Sequence, residues 1–140
     1  MDELDIDEIL KTMDDDKYEY LMGLTTKKIR ALNRKVLRSY SKQQIKEWIG
    51  KLEGYKYVDS IDEIKYGKYI RWIPIHINAQ PLTLTTGGIV CEIKITETGV
   101  NVVCKNFMNR YFQIVLDECI VFQKLTAQEL ILLSALDHLS

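Results

Sequence analysis

The sequence predicts an α+β protein: a small, bent antiparallel β-barrel of five or six strands with an N-terminal helical region and a C-terminal helix. Three observations carry this. Between Tyr66 and Lys124 the apolar residues recur mainly at every second position, the period of a half-buried strand. Around residues 27–53, and again after Thr126, they recur at three and four residues, as on an amphipathic helix. The 140 residues, 46% hydrophobic and 28% charged, suit one core. The expected division is a helical region over residues 1–54, an acidic segment followed by a basic helical hairpin, and a barrel with its closing helix over residues 55–140.

Ile6, Ile9, Leu10 and Met13 lie at helical spacing among acids, so residues 4–13 read as a short amphipathic helix. A helix below ~12–15 residues is marginal alone and needs a surface, either the basic helix of this chain or a partner's groove. The acidic joint at residues 14–17 favours a tether to a partner. Thr25 or Thr26 caps a second helix from Lys27 to about Tyr40, with Ile29, Leu32, Val36, Leu37 and Tyr40 on its apolar face. At ~100° per residue, Lys27, Arg34 and Arg38 fall on one line of the opposite face, flanked by Lys28, Arg30 and Lys35. Ser41-Lys42-Gln43-Gln44 reads as a capping box for a third helix that buries Ile45, Trp48, Ile49 and Leu52 and stops at Gly54.

Residues 55–58 form the first strand, residues 60–64 a single helical turn, and residues 68–77 the next strand. Pro74 cannot donate to a ladder, which predicts an edge or a bulge there. After a loop at residues 78–81 and a return at 82–84, residues 87–105 read as a hairpin. A two-residue turn at Thr98-Gly99 pairs Ile93 with Cys104 and Glu92 with Lys105, and collects Ile93, Ile95, Val102 and Cys104 on one buried face. Strands at residues 110–116 and 119–123 follow. Thr126-Ala127-Gln128-Glu129 starts the closing helix, marked by Leu130, Leu133, Leu136 and Leu139.

The net charge of −1 conceals a segregation: residues 1–26 hold nine acids against Lys11 and Lys17, and residues 27–51 nine bases against Glu47. No apolar run approaches the ~20 residues of a membrane span, and the acidic N-terminus does not read as a secretory signal, so the expected setting is intracellular. Cys91, Cys104 and Cys119 lie in strand-like runs without C-x-x-C spacing and read as reduced, buried thiols. Thr85-Thr86-Gly87-Gly88 lacks the Gly-Lys-Ser/Thr ending of a phosphate loop and precedes a strand, so it reads as a tight bend. His76 and His138 have no second ligand at metal spacing. Asp59, Asp62 and Glu63, or Asp117 with Glu118, read as turn and cap residues. With no nucleophile motif, the pattern argues against an enzyme and calls for no cofactor or metal.

The candidate residues for binding a partner or a nucleic acid are therefore Lys27, Lys28, Arg30, Arg34, Lys35 and Arg38 on the helix, with Tyr69, Arg71 and Trp72 on the sheet. Tyr66, Phe107 and Tyr111 add further stacking surface. Set against this, cations on an outer helix face are ordinarily solvated and aromatics on a sheet ordinarily fill a core.

Lys65-Tyr66-Gly67-Lys68-Tyr69-Ile70-Arg71-Trp72-Ile73, Thr85-Thr86-Gly87-Gly88-Ile89-Val90, Cys104-Lys105-Asn106 and Phe122-Gln123-Lys124-Leu125-Thr126 together resemble uncharacterised small proteins of large nucleocytoplasmic DNA viruses. The resemblance covers roughly residues 55–140, transfers no functional residue, and implies the host cytoplasm, a viral factory or a virion as the setting. The strand succession and short helical turn also resemble a Tudor-like or Sm-like small barrel, a fold that usually binds protein or nucleic acid. The reading that follows is a non-catalytic protein-binding or assembly module, in a viral transcription or virion complex. The alternative is a nucleic-acid-binding protein that uses the basic face at residues 27–38. The oligomeric state is left open.

Overall fold

The computed structural model describes residues 16–75 and 83–139. The expected helix at residues 4–13, His76 and the loop at 78–81 lie outside them. A 3-10 helix, Asp16–Leu21, opens the described chain. Thr25 accepts from the Lys28 N–H at 3.1 Å and caps α1, Thr26–Val36. That helix ends one turn earlier than expected, and Arg38 stands in the turn beyond it. Ser41 and Gln44 form the reciprocal capping box of α2, Lys42–Lys51. At the far end of the chain, α3 spans Ala127–Leu139 and starts at a second such box, with Thr126 N–H on the Glu129 carboxylate at 2.9 Å and Glu129 N–H on the Thr126 hydroxyl at 3.1 Å.

Among the described residues six antiparallel strands make one sheet: β1 (Tyr55–Tyr57), β2 (Tyr69–Pro74), β3 (Gly88–Thr96), β4 (Gly99–Lys105), β5 (Tyr111–Val115) and β6 (Cys119–Lys124), in the order β1-β6-β2-β3-β4-β5. The sheet does not close into the expected barrel. In that order β6 could close only on β5, and its outer edge is taken by β1, with Tyr57 opposite Phe122 and Tyr55 opposite Lys124. Pro74 sits neither at a bulge nor on an edge strand. It is the last residue of β2, opposite Cys119, where β3 has already diverged because β2 pairs with β3 only at Tyr69 and Ile70. The missing N–H therefore costs no ladder bond.

The hairpin turns at Glu97-Thr98, one residue earlier than expected, so Ile93 faces Val102 and Ile95 faces Val100. Asn101 braces this turn. Its side-chain amide reaches back to the Thr96 hydroxyl at 2.6 Å, the Thr98 hydroxyl at 3.2 Å and the Gly99 carbonyl at 3.2 Å. The positive φ falls on Gly99, at 116°, rather than on Thr98. A bulge at Cys91 then brings Val90 opposite Cys104. Ile95 is 82% exposed and Cys91 is also on the surface, so neither belongs to the core as expected; Cys104 is buried and Cys119 half-buried, and all three thiols are free.

Three clusters hold the fold. Ile70, Trp72, Val90, Val102, Cys104, Ile114 and Val121 fill one face of the bent sheet, closed by Val58 and Ile64. Ile73 and Phe122 on the other face pack under Leu37, Trp48 and Leu52 of the helical hairpin. Tyr18 and Leu21 of the first 3-10 helix join Ile29, Leu125, Leu132 and Leu133 at the end. Gly87 and Gly88 permit the bend: a Cβ on Gly87, at φ 86°, would lie 2.1 Å from the Ile70 carbonyl, and one on Gly88 would lie 2.8 Å from that of Lys105.

Candidate partner-binding surface

The sheet has two edges, and they are treated differently. On β1 the buried Asn33 of α1 acts as a substitute strand: its amide donates to the Tyr55 carbonyl at 3.0 Å and its oxygen accepts from the Tyr57 N–H at 2.9 Å. Both backbone groups are thereby satisfied and the edge is closed to other chains. β5, the opposite edge, pairs among the described residues with β4 alone. Asn106 N–H donates to the Arg110 carbonyl at 2.9 Å, and by the alternation of antiparallel pairing Phe112 and Ile114 turn their backbone groups toward β4. Those of Tyr111, Gln113 and Val115 point outward.

Beside this edge stands an exposed apolar ledge. Tyr69, Ile89, Lys105 and Tyr111 are consecutive partners across four strands and therefore share one face. Ile89 is 45% and Tyr111 66% exposed, and the Lys105 ammonium lies 5.8 Å from the Tyr111 ring centroid. The β4–β5 loop extends the ledge. The Asn106 side chain accepts from the N–H groups of Met108 at 2.9 Å and Arg110 at 3.0 Å, and Asn109 takes a left-handed φ of 61°. A loop pinned in this way presents Phe107 and Met108 to solvent, 74% and 56% exposed. Aromatic residues, Met and Arg are the side chains enriched in protein interfaces.

The basic stripe lies elsewhere, because α1 packs on β1, α2 and α3, away from the β5 edge. Its members differ. Arg30 pairs with Glu53, which raises the guanidinium pKa, and the Lys28 ammonium donates to the Gly23 carbonyl at 2.9 Å. Lys27, Arg34, Lys35 and Arg38 are exposed. On the sheet, Arg71 is spent on the carbonyls of Thr85, at 2.8 Å, and Lys51, at 3.4 Å, and the Tyr69 hydroxyl donates to the Thr86 carbonyl at 2.5 Å. Trp72 is buried at 7% within the first cluster and offers no face for stacking, which corrects its expected role. Asn33, Ile89, Met108 and Phe112 were not singled out by the sequence. Asn33 carried a signal, a polar residue one turn after Ile29 on the apolar side of its helix.

The buried charges tie elements together. The Glu129 carboxylate, 3% exposed, accepts from Lys68 Nζ at 2.7 Å and from the Tyr20 hydroxyl as well as from its own cap. Burial opposes its charged form, and the bonds from Lys68, Tyr20 and Thr126 outweigh it, leaving the pKa lowered; burial and the same carboxylate push Tyr20 upward. Glu63 is held in the same manner by Lys56 and by the N–H groups of Ser60 and Asp59, and is lowered too. Gln123 fastens β6 to the segment after Glu63 by accepting from the Lys65 N–H at 3.0 Å and donating to the Glu63 carbonyl at 2.7 Å. Among the described residues no group of three or more His, Cys, Asp or Glu is placed to hold a metal, and no helix is long and apolar enough to cross a membrane. No family model, curated protein or solved structure matches the chain.

Proposed function

We propose that this protein is a non-catalytic protein-binding or assembly module that engages its partner along β5 and the 106–112 ledge. The observation that supports the reading is the contrast between the edges: β1 is plugged by Asn33, whereas β5 keeps a row of outward backbone groups beside exposed Phe107, Met108 and Tyr111. Strand addition would supply the affinity through main-chain hydrogen bonds, and the aromatic ledge the selectivity. The order β6-β2-β3-β4-β5, with a 3-10 turn at Leu116–Glu118 before β6, suits a Tudor-like or Sm-like small barrel held open by β1. The resemblance over residues 55–140 extends the proposal to a viral transcription or virion complex.

The test is affinity capture from expressing cells with nuclease treatment, comparing the natural chain with Phe107→Asp and with Tyr111→Pro, which removes an outward N–H at the exposed start of β5. Loss of the same captured protein in both variants, at unchanged melting temperature, supports the proposal; capture unaffected by either removes it. A second reading, nucleic-acid binding, is favoured by the exposure of Lys27, Arg34, Lys35 and Arg38. It requires binding that falls steeply with salt, with a shallower slope in Arg34→Ala/Arg38→Ala.

A further inference from the structure

A second apolar surface, not covered by any of the described residues, lies where α1, the end of α2 and α3 meet. A cavity of about 260 Å³ is walled by Ile29, Ile49, Leu52, Leu125, Leu130 and Leu133. Leu130 is 46% exposed there, and the Arg30–Glu53 pair sits at the rim. A shallower depression adjoins the cavity, shares Thr26 and Arg30 with it, and carries Lys27 and Lys28. Among the described residues Asp137 lines that shelf and accepts from the Thr26 N–H at 2.8 Å and hydroxyl at 2.5 Å, and Glu53 pairs with its Arg30. An apolar pocket beside a cationic shelf suits an amphipathic segment whose polar positions are acidic.

Two observations name the occupant. Residues 1–15 hold seven acids against Lys11, with Ile6, Ile9, Leu10 and Met13 spaced for one helix face. The described chain begins beside the cavity, since Tyr18 and Leu21 pack onto Ile29, Leu125 and Leu133, three of the residues that wall it. From Met13 to Asp16 is three residues, a span of at most ~10 Å, short enough for a segment ending at Met13 to meet the cavity. We propose that residues 4–13 of this chain dock across this cavity, with apolar side chains in the pocket and acids on the shelf of Lys27, Lys28 and Arg30. The sequence favoured a tether to a partner because it did not show that the chain carries such a pocket within reach. This docking is independent of the β5 edge and covers the N-terminal end of the basic stripe, leaving Arg34, Lys35 and Arg38 open.

The experiment uses the full chain at low salt, with methyl-labelled Ile, Leu and Met. Expected are nuclear Overhauser contacts from Ile9, Leu10 or Met13 to Ile29, Ile49 or Leu130, with slowed amide exchange over residues 6–13. Ile9→Asp, and separately Leu130→Glu, should speed exchange of those amides by roughly tenfold or more, the loss of one buried aliphatic side chain, while the Trp48 amide is unchanged. Free-chain exchange rates at residues 6–13 in the natural protein overturn the proposal. So do contacts that arise only between labelled and unlabelled copies, which would make a second molecule the occupant.

Discussion

Glu129→Gln is the most informative single change in the core, because one carboxylate with 3% exposure serves Lys68, Tyr20 and the start of α3. The amide preserves size and still accepts one hydrogen bond, but it removes the charge opposite the Lys68 ammonium. Lys68 is 17% exposed, so water relieves part of the penalty. Breaking a fully buried pair from one side costs about 3–5 kcal/mol, and about 2–3 kcal/mol is expected here. That lowers the melting temperature by roughly 5–10 °C in a chain of this size. The cost carries a pH signature. Since the folded pKa of Glu129 is lowered, the unfolded chain binds the proton first as pH falls; the carboxylate's contribution is complete above its unfolded value of about 4.3 and is lost below it, through the folded value. Chemical denaturation from pH 7 to pH 3 should therefore show the natural protein and the variant converging toward acid. Glu63, lowered as well, is present in both and leaves each with a residual acid slope. A gap that stays constant over this range, or no gap at pH 7, would refute the account of Glu129 as a charged keystone. Lys68→Met/Glu129→Leu should cost less than the two single changes summed, since no orphaned charge is then buried.

Further consequences can be measured on the same protein. Asn33→Ala should destabilise by about 1–3 kcal/mol, because the Tyr55 carbonyl and Tyr57 N–H lose the partner that closes the β1 edge, and denaturant titration reads this directly. Ile95→Ala, at a position 82% exposed, should stay within about 0.5 kcal/mol of the natural chain, whereas Val102→Ala in the first cluster should cost about 2 kcal/mol; equal costs would return the hairpin to a different register. Thiol labelling of the native protein at neutral pH should modify Cys91 first. Cys119 and Cys104 should lag until unfolding, since burial pushes their thiols up to about 11 and about 12 and keeps them protonated. Gly88→Ala should lower the melting temperature, because the added methyl meets the Lys105 backbone carbonyl at 2.8 Å.

Local chemistry was legible in the sequence: Thr25, Ser41 with Gln44, and Thr126 with Glu129 start their helices as capping residues must, and the alternation after Tyr66 marks five of the six strands, because both signals lie within a few residues of chain. What involved two distant segments was not. The hairpin turn came one residue early, so Ile95 stands opposite Val100 next to the turn, 82% exposed although its face is that of buried Val102. Trp72 and Tyr111 are both aromatic residues on strands; only the packing of Val58, Ile64 and Val121 decided that the first is core and the second surface. The sheet is open and not a barrel, its β6 side occupied by β1, a three-residue strand, in a pairing that joins residues nearly seventy apart. The partition of the cations is of the same kind, with Arg30 taken by Glu53 and Lys68 by Glu129, since a charge's partner is set by which surfaces meet after folding and not by its neighbours in the chain.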